Sequence, residues 1–200
     1  GKQLICFDRK KLAASMLVHT STPIHHCLTS RLTEKPVRSA AKLMFKNILG
    51  YMGDRQYQSG QEAFLAQQLA TSCIEKESLR TEVYCQLMKQ LTQNANSESM
   101  RKGWDLVMLC VSTFPPPPVI ENFVEVFIRK YGPKDRQQKM LSAMHGKMYE
   151  IKGGGMLAAP SVQEINQIIG GRASRVRSFC HGYNTSIAEF DEIKKRGVQE

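Results

Sequence analysis

An all-α fold is predicted, and three observations carry the prediction. Apolar residues recur at spacings of three and four through nearly every segment before Arg172, short polar or Gly/Pro punctuation divides those segments, and no alternating pattern there requires a strand. About nine short helices then stack as hairpins into a compact superhelical bundle. A short strand and turn find room only near the C-terminus, around His181-Gly182. With 200 residues and 42% hydrophobic content, the chain suits one domain with a real core.

The segment from 79 to 114 organises the rest. Leu79, Val83, Leu87 and Leu91 recur every four residues with Tyr84 and Met88 alongside, which predicts a helix with a wide apolar stripe, and Ser78 is placed to cap it. Met100, Trp104, Val107, Met108 and Val111 repeat the pattern. The polar run from Asn94 to Ser99 supplies turn and capping side chains between the two helices, and Pro115 to Pro118 stop the second. Gly103, next to the only tryptophan, lets another helix come close. Trp104 lies within the apolar stripe and reads as core.

The other elements follow in order. Arg9 to Thr20 is expected to form a short helix through Leu12, Met16 and Leu17, and Pro23 to about Leu32 a second, with the proline in its first turn. Pro36 to Met52 gathers Val37, Ala41, Met44, Phe45, Ile48 and Met52 on one face, and Gly53 can take the left-handed conformation that ends it. Gln61 to Cys73 continues the series. Ile120 to Tyr131 is so apolar that burial on a broad face is expected, before Gly132-Pro133 stops it. Lys134 to about Ile151 places Leu141, Met144, Met148 and Ile151 inward and Lys134, Arg136, Lys139 and Lys147 outward. Gly153 to Gly155 lack the following Lys-Ser or Lys-Thr of a phosphate loop and read as a flexible connection. Pro160, Ser161 and Glu164 open a last helix with a capping box, and Gly170-Gly171 close it. The character changes after Arg172, so a boundary falls near Gly171.

Composition narrows the function. A net charge of +10 favours an acidic partner, whether protein, nucleic acid or anionic lipid. The six cysteines are scattered with no CxxC, which argues against zinc and fits a reduced, intracellular protein. Adjacent His25, His26 and Cys27 point in different directions on a helix and lack a second ligand pair. No apolar run long enough to span a membrane and no secretory leader is visible. Nothing has the spacing of a catalytic site, and neither a metal nor a cofactor is expected.

The basic residues form two groups. Lys35, Arg38, Lys42 and Lys46 follow at helical spacing along one side of the 36–52 helix with no acid between them, which tilts the reading from a solvated face toward a binding surface. Arg129, Lys130, Lys134, Arg136 and Lys139 form a second cluster, and Arg101 and Lys102 can assist.

Four separated stretches, KLMFKNILGYMGDR, LRTEVYCQLMKQLTQN, RKGWDLVMLCVSTFPP and PSVQEI, together resemble the myosin tail homology 4 domain over roughly residues 9–171. The resemblance implies an all-helical bundle from the tail of an unconventional myosin of class VII, X or XV, a plant calmodulin-binding kinesin, or a pleckstrin-homology or Rho-GAP adaptor. Residues 172–200 would then be a linker or the start of a following FERM-like domain. Gly53, Arg80, Glu82, Gly103 and Trp104 read as architectural, with Arg80 and Glu82 as buried polar partners that fix helix docking.

On this resemblance the chain is expected to be a non-catalytic interaction module located in the cytoplasm and cytoskeleton. Its basic surface would bind microtubules through their acidic tubulin tails, or an acidic segment of a cargo adaptor. A rigid spacer supporting a neighbouring FERM or Rho-GAP domain is the competing reading. Anionic lipid needs only surface electrostatics. Nucleic acid has less support, because aromatic residues are not interleaved with the basic ones.

Overall fold

The computed structural model describes residues 17–58, 60–152 and 159–170, and these hold seven α-helices and no strand. They are α1 (Lys35–Met52), α2 (Glu62–Glu75), α3 (Ser78–Leu91), α4 (Ser97–Thr113), α5 (Glu121–Tyr131), α6 (Lys134–Lys152) and α7 (Val162–Ile169). Of the helix expected over 9–20, residues 17–20 are not helical and the rest lies outside the described residues, as do the triple glycine and everything after Gly170, including the strand near His181 and the boundary near Gly171.

Helix α4 is the hub: α1, α2, α3, α6 and α7 all pack on it. Its run from Gly103 to Val111 is buried without interruption. Close approach is possible because Gly103 has no side chain: a Cβ there would lie 2.7 Å from Leu91 Cδ2 of α3 and 2.9 Å from Met52 Cε of α1. The Asn96 side chain caps α4 by accepting from the Glu98 and Ser99 amides at 3.0 and 3.1 Å. Ser78 makes no cap; Glu77 precedes α3 and Ser78 is its first residue.

Helix ends are held by side chains from their neighbours. Arg80 is buried, donates from Nε to the Cys73 carbonyl at 2.8 Å at the end of α2, and lies 6.0 Å from the Phe114 ring centre. A cation on exposed carbonyls at a helix C-terminus is favourable. The Tyr84 hydroxyl donates to the Phe114 carbonyl at 2.8 Å, which fixes the chain where it leaves α4. In α7 the capping box is complete, with Ser161 Oγ accepting from the Glu164 amide and Glu164 accepting from the Ser161 amide.

Two expected helices differ. Residues 23–32 form turns and bends, not a helix. Their backbone is claimed from outside by Glu82, fully buried on α3, whose carboxylate accepts from the Leu28 amide at 2.8 Å, the Thr29 amide at 2.8 Å and the Thr29 hydroxyl at 2.7 Å. Helix α5 is not buried on a broad face either. Only Val124 and Ile128 are buried, while Phe123 is 70% and Val126 60% exposed, because α5 lies at the edge, packing on α3 and α6.

Candidate functional site: a basic groove on α1

The loop that Glu82 holds is one wall of a groove, and α1 is the other. Pro23, Ile24 and His25 face Ser39, Lys42, Leu43 and Lys46, and Arg55 completes the lining of a space of about 510 Å³. Each part has a local cause. Gln90 on α3 pins the loop further up, accepting from the Thr20 amide at 3.2 Å and donating to its carbonyl at 2.9 Å. Gly53 ends α1 at φ 81°, a conformation that L side chains rarely adopt, and the turned-back chain brings the Arg55 amide to the Leu49 carbonyl at 3.2 Å. Arg55 therefore returns beside the helix it has just left.

The groove is electrostatically one-sided. Lys42, Lys46 and Arg55 line it with no carboxylate among the lining residues, and none of the three has an ion-pair partner within the described residues. Such a concavity focuses positive potential toward solvent. Of the other two stripe residues, Lys35 is exposed beyond the groove and Arg38 turns to donate to the Thr33 carbonyl. The stripe is thus split: two of its members face the groove and two do not.

Most of the remaining basic residues are occupied. Asp105, buried on α4, accepts Arg101 Nη1 at 2.8 Å and also pairs with Arg136 of α6, so Arg136 points inward and not outward as expected. Arg101 also grips Glu98 at 2.6 Å, and that hydrogen bond chiefly holds the Glu98 carboxyl below the usual carboxylate range. Lys102 pairs with Glu62 of α2 at 3.3 Å, and Arg129 with Glu125 at 2.6 Å. Lys130 lies 5.1 Å from the Tyr131 ring centre, and Lys134 and Lys139 are exposed on α6. None of the second cluster lines the groove on α1. Trp104, 3% exposed, stacks on Phe127 at 5.7 Å within the core.

Sequence reasoning did not find His25 and Arg55 as groove residues. Arg55 carried a signal, a cation two positions past a helix-stopping glycine; His25 depends on a loop path that only Glu82 reveals. Among the described residues no group of three or more His, Cys, Asp or Glu side chains is placed to hold a metal, and no helix is long and apolar enough to cross a membrane. Cys73 and Cys110 are buried free thiols, and burial pushes the Cys73 thiol up to about 12, away from reactive thiolate chemistry.

Among the described residues, the protein is a seven-helix bundle with a central hairpin, buried polar side chains at its helix ends and a basic outer groove. Residues 66–167 match the MyTH4 domain family, and the chain belongs to it. The high molecular weight form of myosin-1 from Acanthamoeba castellanii is 40% identical over 157 residues, covering 78% of this chain and 9% of that protein. Human unconventional myosin-XVB is 28% identical over 163 residues, covering 81% of this chain and 5% of its own length. Among solved structures, the human myosin 7b C-terminal MyTH4-FERM domain in complex with the harmonin-a PDZ3 domain superposes with TM-score 0.66 at 28% identity, covering 76% of this chain and 32% of that one. Mutant 2 of the Dictyostelium discoideum myosin VII MyTH4-FERM MF1 domain shares the fold, with TM-score 0.67, 21% identity and coverage of 78% and 33%. The chain thus spans a tenth or less of these two myosins and about a third of these two solved chains.

Proposed function

We propose that the chain is a non-catalytic protein-interaction module of a cytoskeletal motor or adaptor tail, and that its α1 groove binds an acidic partner. The acidic tails of microtubules and an acidic segment of a cargo adaptor are the two partner classes. The observation that carries this reading is the convergence of Lys42, Lys46 and Arg55, none of them ion-paired, on one groove with no lining acid. Such binding is salt-sensitive, because exposed charges are screened over about 8 Å at physiological ionic strength. Each exposed charge pair contributes only about 0.2–1 kcal/mol, so several must act together.

Co-sedimentation of residues 1–200 with stabilised microtubules, before and after enzymatic removal of the acidic tubulin tails and across a salt series, tests the first partner class. Binding that disappears with the tails supports it. Absence of binding at low salt moves the weight to an adaptor segment. A second reading, a rigid support for an adjacent FERM domain, is favoured by the likeness to chains in which this fold accompanies FERM. A support of that kind would bind neither class of partner in isolation.

A further inference from the structure

The basic groove does not end at Leu43. A second, smaller groove of about 240 Å³, lined by Leu43, Met44, Gln67, Gln68, Thr71 and Ser72, adjoins it across that same residue. Leu43 lines both and is 49% exposed, an apolar side chain between a cationic surface and an uncharged one that also carries amide and hydroxyl groups. The polar part has unspent hydrogen-bonding capacity. Gln68 Oε1 accepts from Asn47 Nδ2 at 3.1 Å, which orients the amide and leaves its N–H groups to donate. Thr71 and Ser72 offer hydroxyls with no side-chain partner among the described residues.

Resting on the acidic-partner reading, we propose that the ligand is an extended peptide segment recognised in two parts. Acidic residues lie over Lys42, Lys46 and Arg55; an apolar residue covers Leu43, and the backbone beyond it bonds to Gln68, Thr71 and Ser72. A pure polyacid needs only the cations and leaves Leu43 and the α2 groups unused. A helical ligand has its backbone groups satisfied internally and nothing to give the amide and hydroxyls. An extended strand offers both backbone bonds and alternate side chains for pockets. The scale fits: Ser39 to Lys46 spans about 10 Å of helix, which is about three residues of extended chain.

Fluorescence anisotropy separates this from the broader reading. The probes are three labelled peptides: polyglutamate, a glutamate run followed by Leu and a Gly/Ser tail, and the same residues in reverse order. One leucine-containing order should bind about fivefold more tightly than polyglutamate, as burial of one apolar side chain on a half-exposed leucine allows. That gain should fall below about twofold in Leu43→Ser and shrink in Thr71→Val, both partly exposed positions, with thermal melts showing that the fold is kept. Lys42→Glu/Lys46→Glu should lose all three peptides. Equal binding of the three peptides to the wild type overturns the two-part site while leaving the basic groove as an acidic site. No binding of any peptide at low salt overturns the acidic-partner reading and the two-part site with it.

Discussion

Glu82 shows how one buried carboxylate can decide the shape of a distant surface. It accepts three hydrogen bonds from Leu28 and Thr29, and the loop so fixed carries Pro23 to His25 along the groove wall. Gln86 Nε2 donates to the same carboxylate at 3.0 Å, so removing the acceptor leaves four donors short of a partner, and Glu82→Ala should lower unfolding free energy by about 3 kcal/mol in a denaturant titration. Gly103 makes the opposite kind of demand, for absence of matter. Gly103→Val should destabilise by about 2 kcal/mol, because Leu91 and Met52 must move aside inside a packed core. Both positions stood out in the sequence, Glu82 as an acid within an apolar helix and Gly103 beside a tryptophan. What Glu82 holds could not be read there, because its partners lie 53 and 54 residues away.

At the scale of the helix, spacing was informative wherever an element packs on several others. The 36–52, 79–91 and 100–113 stripes all found cores, since α4 touches five other helices and leaves no face unspecified. The stripe of α5 misled because amphipathic spacing says that one face is apolar, not that every apolar residue on it finds a neighbour. Four of the nine large hydrophobic side chains exposed among the described residues fall between Val119 and Tyr131. Phe123→Ser should therefore change stability by no more than about 0.5 kcal/mol, whereas Ile128→Ala, fully buried on the same helix, should cost about 3 kcal/mol. Residues 23–32 misled in the other direction: Ile24, Leu28 and Leu32 have helical spacing, yet a Ser/Thr-rich stretch tethered by Glu82 has its amides satisfied elsewhere. The capping box of α7 was legible from three residues. Ser161→Ala should cost about 1 kcal/mol. Hydrogen bonds from the Ser161 amide and hydroxyl hold the Glu164 carboxyl below its ordinary range. The associated stabilisation is present above the unfolded pKa of about 4.3 and is lost as pH falls through the folded value. The stability difference between wild type and Glu164→Gln should accordingly vanish in acid denaturation profiles below that window.

Across the whole molecule, charge counting and charge placement give different answers. The net charge of +10 favours an acidic partner, but of the basic residues offered to it Arg101, Lys102, Arg129 and Arg136 are spent on Glu98, Asp105, Glu62 and Glu125. Part of this was readable, since Glu98, Arg101 and Asp105 stand at helical spacing; Arg136 reaches Asp105 from 31 residues away and was not. Lys42, Lys46 and Arg55, without ion-pair partners among the described residues, converge on one concavity, whereas Arg101, Lys102, Arg129 and Arg136 pair with carboxylates of the bundle. The direct test compares two charge reversals on one labelled polyglutamate peptide at low salt: Lys42→Glu/Lys46→Glu in the groove, and Lys130→Glu/Lys134→Glu on the α5–α6 side. The groove account predicts that the first lowers affinity by about tenfold or more, through loss and reversal of several modest charge contacts, while the second stays within about twofold of wild type. Equal losses from both reversals would mean that net charge alone governs binding, and would contradict it.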